Sequence, residues 1–144
     1  MNAPTIARIL GALFLVAGIA GLLPWIAPAA PLDAPVITID TAYRFIFGIF
    51  PVNAAHDAVH LLFGVWGLLA AVRFGSAVFY CRAVAAIFIL LVVLGTLPVF
   101  AFYTLFGAAP IYGWDVLFHL VLALLGAYGG FGRGSIEVEA ASAP

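Results

Sequence analysis

Residues 9–26, 83–109 and 116–131 contain no charged side chain, and residues 52–72 are apolar apart from Asn53, His56, Asp57 and His60. About 20 apolar residues are what an α-helix needs to cross roughly 30 Å of hydrocarbon at about 1.5 Å per residue. Lipid offers no partner for backbone N–H and C=O groups, so apolar stretches of this length read as helices that satisfy their own backbone. The pattern predicts transmembrane helices over about 8–28, 52–73, 80–106 and 112–132. Composition closes off the alternative: 67% of residues are hydrophobic and 8% charged, whereas a soluble domain carries about 25% charged residues. The basic residues are five arginines, and the net charge is −1. That leaves no basic surface able to neutralise a nucleic-acid backbone. The single cysteine, Cys81, excludes an internal disulfide, a CxxC redox pair or a cysteine metal cage.

Arginine placement sets the expected direction, because basic residues are retained on the cytoplasmic side of short loops. Arg8 precedes helix 1, Arg73 and Arg82 flank the turn between helices 2 and 3, and Arg133 follows helix 4. All four face the cytoplasm if both termini do, and Arg44 is the exception. Interfacial aromatics fit the same arrangement, with Trp25, Tyr43, Tyr112 and Trp114 outside and Phe74, Tyr80 and Phe131 inside. The 29–51 connection is then external, and Asp40 or Thr41 is positioned to cap an interfacial helix, with Asp40 and Arg44 paired at i,i+4. The tail over 134–144, with Glu137 and Glu139 among small residues, is expected to be disordered and cytoplasmic.

An internal duplication runs through the chain. At an offset of 74, Arg8, Ala12, Phe14, Gly21, Leu23 and Pro24 meet Arg82, Ala86, Phe88, Gly95, Leu97 and Pro98. At an offset of 59, His56, His60, Gly64, Gly67 and Ala71 meet Asp115, His119, Ala123, Gly126 and Gly130. Two helical hairpins of the same orientation are thus joined head to tail, which places equivalent residues at equal depth. The Ala27-Pro28-Ala29 triplet after helix 1 has the form of a signal-peptide cleavage site. The match of helix 1 to a later helix argues instead that it is retained as half of a packed repeat.

On a wheel of about 100° per residue, Asn53, His56, Asp57, His60, Gly64, Gly67 and Ala71 share one face of helix 2. Asp115, His119, Ala123, Gly126 and Gly130 share one face of helix 4. Small residues let helix backbones approach, and lipid cannot satisfy polar groups, so both faces are expected to turn inward. The leading reading is a structural polar cluster of Asn53, His56, Asp57, His60, Asp115 and His119, hydrogen-bonded across helices to fix packing. A second is a transition-metal site on His56, His60, Asp115 and His119, since imidazole and carboxylate suit zinc, copper or iron. A third is haem b held between His60 and His119. Proton or small-solute transport is the last, because histidine beside aspartate titrates near neutrality.

The segments Phe50-Pro51-Val52-Asn53 and His56-Asp57-Ala58-Val59-His60, the Leu-Leu-Phe-Gly-Val-Trp-Gly-Leu run after them, and Trp114-Asp115 to His119 carry a resemblance. They resemble the bacterial membrane proteins grouped as domain of unknown function 4383, most specifically through Asn-x-x-His-x-x-x-His. The resemblance implies a bacterial membrane protein with helices spanning the bilayer four times, and it implies no activity. The expected fold is therefore all-α: an integral membrane four-helix bundle of two like-oriented hairpins, in a bacterial cytoplasmic membrane. The expected function is accessory or structural, with no catalytic residues assigned. A metal- or haem-binding redox protein is the alternative and a transporter the third. The lipid bilayer is the expected partner, with room for a second copy or a membrane-complex subunit.

Overall fold

The computed structural model describes residues 1–99, 101–132 and 134–136, and it is mostly helical. Helix α1 (Ala3–Leu22) begins several residues before the expected start, because Asn2 caps it: the Thr5 N–H donates to Asn2 Oδ1 at 3.1 Å, and Pro4 lies in the first turn, where a missing N–H costs nothing. It ends ahead of the expected limit because Leu23 precedes Pro24 and is driven into extended backbone, φ −98° and ψ 107°. Helix α3 (Phe74–Thr96) ends the same way, with Leu97 at φ −96° and ψ 108° before Pro98. The expected continuation of α3 to residue 106 is thereby corrected. The chain instead turns back through a 3₁₀ segment, Phe102–Gly107, into α4 (Trp114–Phe131). Helix α2 (Ala54–Ala70) starts at the Asn53 cap.

Three helices, α1, α3 and α4, are each long and apolar enough to cross a membrane; α2, with 17 residues, is a shorter apolar helix. The outward faces of all four remain apolar, with Val16, Leu62, Leu69, Phe79 and Leu124 well exposed. Such a surface suits lipid and would be an aggregation hazard in water.

The 29–51 connection holds a β-hairpin, not the expected interfacial helix. Strand β1 (Arg44–Ile46) pairs antiparallel with β2 (Phe50–Val52), Phe45 opposite Pro51. Phe47 and Gly48 turn the chain at positive φ. Residues 26–30 add a third, irregular edge, since Phe45 N–H donates to Pro28 and Phe47 N–H to Ile26. Aromatic and β-branched residues favour this pairing, and the loop backbone finds partners that a single helical turn at 40–46 would not supply. The anticipated Asp40–Arg44 pairing gives way as well: Arg44 donates to the Ala27 carbonyl at 3.3 Å.

Helix α1 packs chiefly on α2, and α3 on α4, with α1 also touching α3 and α4. Glycines set the closeness of both pairs. A Cβ on Gly11 would lie 3.0 Å from the Gly64 carbonyl oxygen, and one on Gly126 would lie 2.9 Å from Ala85 N, so backbone meets backbone at each crossing. Between the pairs sits a core of Phe14, Tyr80, Val84, Phe88 and Leu122. Tyr80, expected at the interface, is fully buried there, and its hydroxyl donates to the Phe63 carbonyl at 3.1 Å.

Arg8, Arg73 and Arg82 share one end of the molecule. Met1 N there donates to the Tyr128 hydroxyl, and Arg82 Nε donates to the Gly130 carbonyl at 2.9 Å. Arg133 and the 137–144 tail lie outside the described residues. At 134–136, expected to begin that tail, the chain is helical, and Ser135 Oγ donates to the Gly129 carbonyl at 2.7 Å.

Candidate functional site

The end of the molecule away from Arg8 and Arg82 gathers the polar residues. Asn53 stands at the start of α2 with no exposed surface, and each of its side-chain atoms is used. Its Oδ1 accepts from His56 N–H at 2.9 Å, while Nδ2 donates to the carbonyls of Ile39 at 2.7 Å and Ala108 at 2.8 Å. One amide thus caps α2 and clamps onto it both the α1–α2 connection, through Ile39, and the α3–α4 connection, through Ala108.

One turn and two turns further on, His56 and His60 project from one face of α2 toward His119 of α4. Ring centroids are 4.5 Å apart for His56 and His60, 5.6 Å for His56 and His119, and 6.2 Å for His60 and His119. One ring nitrogen from each of the three lies within 4.8 Å of the others, and all three residues are buried. The His56 ring lies against the Pro110 backbone carbonyl, and its Nδ1 has no partner among the described residues. His119 Nδ1 faces Asp115 Oδ2 at 3.3 Å, one turn earlier on α4, close enough for attraction but not aligned as a hydrogen bond. Both nitrogens of His60 lack a hydrogen-bond partner among the described residues.

The six residues grouped by the wheel therefore divide. His56, His60 and His119 converge, with Asp115 behind His119. Asp57 instead faces α1, where a Cβ on Gly21 would collide with its carboxylate. Arg44 of the hairpin supplies the opposing charge for that carboxylate. The interhelical hydrogen-bond network expected of these side chains is not formed among the described residues; unpartnered nitrogens face one another instead.

Two residues that frame the site were not assigned to it from sequence. Phe14 packs on His60 at 5.5 Å and Phe88 on His119 at 4.9 Å, and the two rings meet at 5.0 Å. Their signal was present, because Phe14 and Phe88 are paired in the repeat alignment at an offset of 74. These rings, together with His56, pack against the His60–His119 pair, where a flat macrocycle would need them to part. A single ion asks for much less room. Zinc sits at about 2.0–2.1 Å from imidazole nitrogen in tetrahedral geometry, which sets nitrogens roughly 3.4 Å apart. The three nitrogens, within 4.8 Å of one another, would have to close on an ion to reach that spacing. The contacts of His119 with Asp115 and of His56 with the Pro110 carbonyl have the form of outer-shell partners that fix a ligating imidazole by its second nitrogen.

The Tyr43 and Tyr112 hydroxyls hydrogen-bond to each other between the α1–α2 and α3–α4 connections. Burial raises the pKa of both phenols from the ordinary value of 10.0.

Over residues 5–132 the chain matches the model of a family described as a domain of unknown function (DUF4383), and it belongs to that family. No curated protein matches the chain. No solved structure matches it either.

Proposed function

We propose that this DUF4383 member is a four-span protein of the bacterial cytoplasmic membrane that holds one transition-metal ion on His56, His60 and His119. The observation that carries the reading is the convergence of three buried imidazoles, with one nitrogen of each within 4.8 Å of the others and no hydrogen bonds among them. Buried polar atoms are normally paired, and an unpaired one costs about 1–3 kcal/mol. A metal ion satisfies all three nitrogens at once. Asp115 orients His119 and offsets part of the ion's charge. Pure packing, the reading favoured by sequence alone, leaves these costs unanswered.

Four spans fit if α2 crosses with its Asn53 cap at the outer boundary, where the hairpin completes the thickness. Equivalent packing supports two like-oriented hairpins: Gly11 and Gly67 meet at one crossing, while Ala85 and Gly126, their repeat counterparts, meet at the other. The matching exits at Leu23-Pro24 and Leu97-Pro98 support the same pseudo-symmetry. With Arg8, Arg73 and Arg82 at one end, both termini face the cytoplasm and the metal site lies toward the outside.

Metal analysis of the full chain purified in detergent and titrated with Co²⁺ or Zn²⁺ tests the proposal. One ion per chain is expected, lost in both His60→Gln and His119→Gln while helicity is retained. Absence of stoichiometric metal in the wild type, with His→Gln variants differing only by about 1–2 kcal/mol in stability, would return the cluster to packing.

A further inference from the structure

Three imidazole nitrogens make an incomplete shell for a tetrahedral ion, and among the described residues no cysteine or carboxylate joins them within 4.8 Å as a fourth ligand. The Asp115 carboxylate stands outside the group, against His119 Nδ1 at 3.3 Å. Solvent has little access, since His56 is 5%, His60 2% and His119 1% exposed. Phe14 and Phe88 pack their rings on His60 and His119. The charge at the site is equally limited. Arg44 opposes Asp57, and Arg8, Arg73 and Arg82 belong to the other end of the molecule. Asp115 therefore brings the histidine cluster one carboxylate, and no arginine among the described residues is paired with it.

We infer that the ion is cuprous, Cu(I), held by His56, His60 and His119 in three-coordinate geometry. The inference deepens the metal reading and rests on it. Coordination number points this way first. Zn²⁺ in proteins is almost always four-coordinate, with water completing a set of three side chains. Cu²⁺ asks for square-planar or tetragonal surroundings, which a triad of facing rings does not supply. Cu(I), with a closed d shell, is satisfied by three nitrogens, and imidazole is an ordinary copper ligand. Charge selects the same ion. The cost of taking an ion out of water grows with the square of its charge, so a divalent ion costs about four times as much as a monovalent one. Ligating imidazoles are neutral, so Cu(I) and the Asp115 carboxylate together form a neutral set. Zn²⁺, Co²⁺ or Fe²⁺ would leave one positive charge buried and unopposed. Asp115 acts through the second nitrogen of His119, and so offsets the charge without entering the shell.

The test uses the full chain in detergent, loaded with Co²⁺, whose visible absorption reports the histidine site, and then titrated anaerobically with Cu(I) under ascorbate. Bicinchoninate, a chromophoric Cu(I) chelator, sets the affinity scale. One Cu(I) per chain should displace the cobalt, with a preference of about a hundredfold over Co²⁺ and Zn²⁺. Asp115→Asn separates charge from scaffolding. Coulomb attraction scales with the charge of the ion, so loss of the carboxylate should weaken Cu(I) about tenfold and the divalent ions about a hundredfold. A purely positional role for Asp115 predicts the same loss for every ion. Either a cobalt band that survives one equivalent of Cu(I), or equal losses for all the ions in Asp115→Asn, overturns the inference and leaves the metal reading standing. If neither Co²⁺ nor Cu(I) binds, or if copper is retained in both His60→Gln and His119→Gln, the metal reading falls and the inference falls with it.

Discussion

Asn53 offers the sharpest test of how the site is held, because its two side-chain functions separate by substitution. The cap bond to His56 N–H can be kept while the donations to Ile39 and Ala108 are removed. Asn53→Ser retains a capping oxygen and strands two carbonyls. Both bonds are part-buried, so each loss sits near the low end of the range for an unmade hydrogen bond, and the total is about 2 kcal/mol. Asn53→Ala loses the cap as well, worth about 1 kcal/mol, for a total of about 3 kcal/mol. Asn53→Asp discriminates further. Aspartate is as good a cap as asparagine, and its charge favours a helix N-terminus by about 0.3–1 kcal/mol, so a capping role alone predicts no loss. The clamp predicts the opposite, since a carboxylate oxygen would face two carbonyl oxygens at the positions Nδ2 now holds. At neutral pH the aspartate variant should be the least stable of the three. It should recover in acid, where a protonated carboxyl donates to one of the two carbonyls. Thermal unfolding in detergent at pH 7 and at pH 4–5 reads the order. Wild-type stability for Asn53→Asp at pH 7, or a cost for Asn53→Ala no greater than that of cap loss alone, would refute the clamp.

Three further outcomes are expected. Gly21→Ala places a Cβ on the Asp57 carboxylate and should cost about 1–3 kcal/mol as an overpacked helix contact; unfolding at the wild-type temperature would show that α1 and α2 do not meet there. The Tyr43 and Tyr112 phenols, with pKa raised by burial, contribute stability that is complete below about pH 10, the ordinary phenol value, and lost as pH rises beyond it. Thermal scans should therefore show a steeper alkaline fall in the wild type than in a Tyr43→Phe/Tyr112→Phe double variant, and parallel profiles would count against the pairing. For topology, Thr41→Cys in intact cells should react with a membrane-impermeant maleimide, since the native Cys81 is buried; labelling only after lysis would reverse the proposed orientation.

What the sequence disclosed and what it hid follow one physical division. Periodicity and charge act locally, so the helices, their glycine faces and the inward turn of His56, His60 and His119 were all legible. The breaks at Leu23-Pro24 and Leu97-Pro98 were visible as residues, but they were read too far along the chain. Continuous hydrophobicity hides the point at which a residue before proline leaves the helix. The hairpin was misread because its stability comes from pairing with residues 26–30, a partner that no window over 40–50 contains. Asp57 was misplaced for a related reason. A wheel assigns a face to each residue, whereas Asp57 is claimed by α1 and Arg44 from one side of that face, and the histidines turn to α4 from the other.

Arg44 then ceases to be an exception. Among the described arginines it lies at the end of the molecule opposite Arg8, Arg73 and Arg82, and its charge opposes a carboxylate buried near the start of α2. An isolated charge in that position is costly, and a charge partner lowers the cost. β1 brings Arg44 to this place while Arg44 itself fastens the hairpin through the Ala27 carbonyl. That hairpin also carries Phe47, which overhangs an apolar cavity of about 220 Å³ between α1 and α4, so a pair that looks purely structural holds the cavity's roof. Removing the pair's positive member with Arg44→Met should therefore loosen the roof and leave Asp57 unopposed. Replacing both residues, Arg44→Met with Asp57→Asn, should restore stability more fully than either change alone. Additive losses in that cycle would show the two residues to be uncoupled, and the hairpin would then owe its position to backbone pairing only.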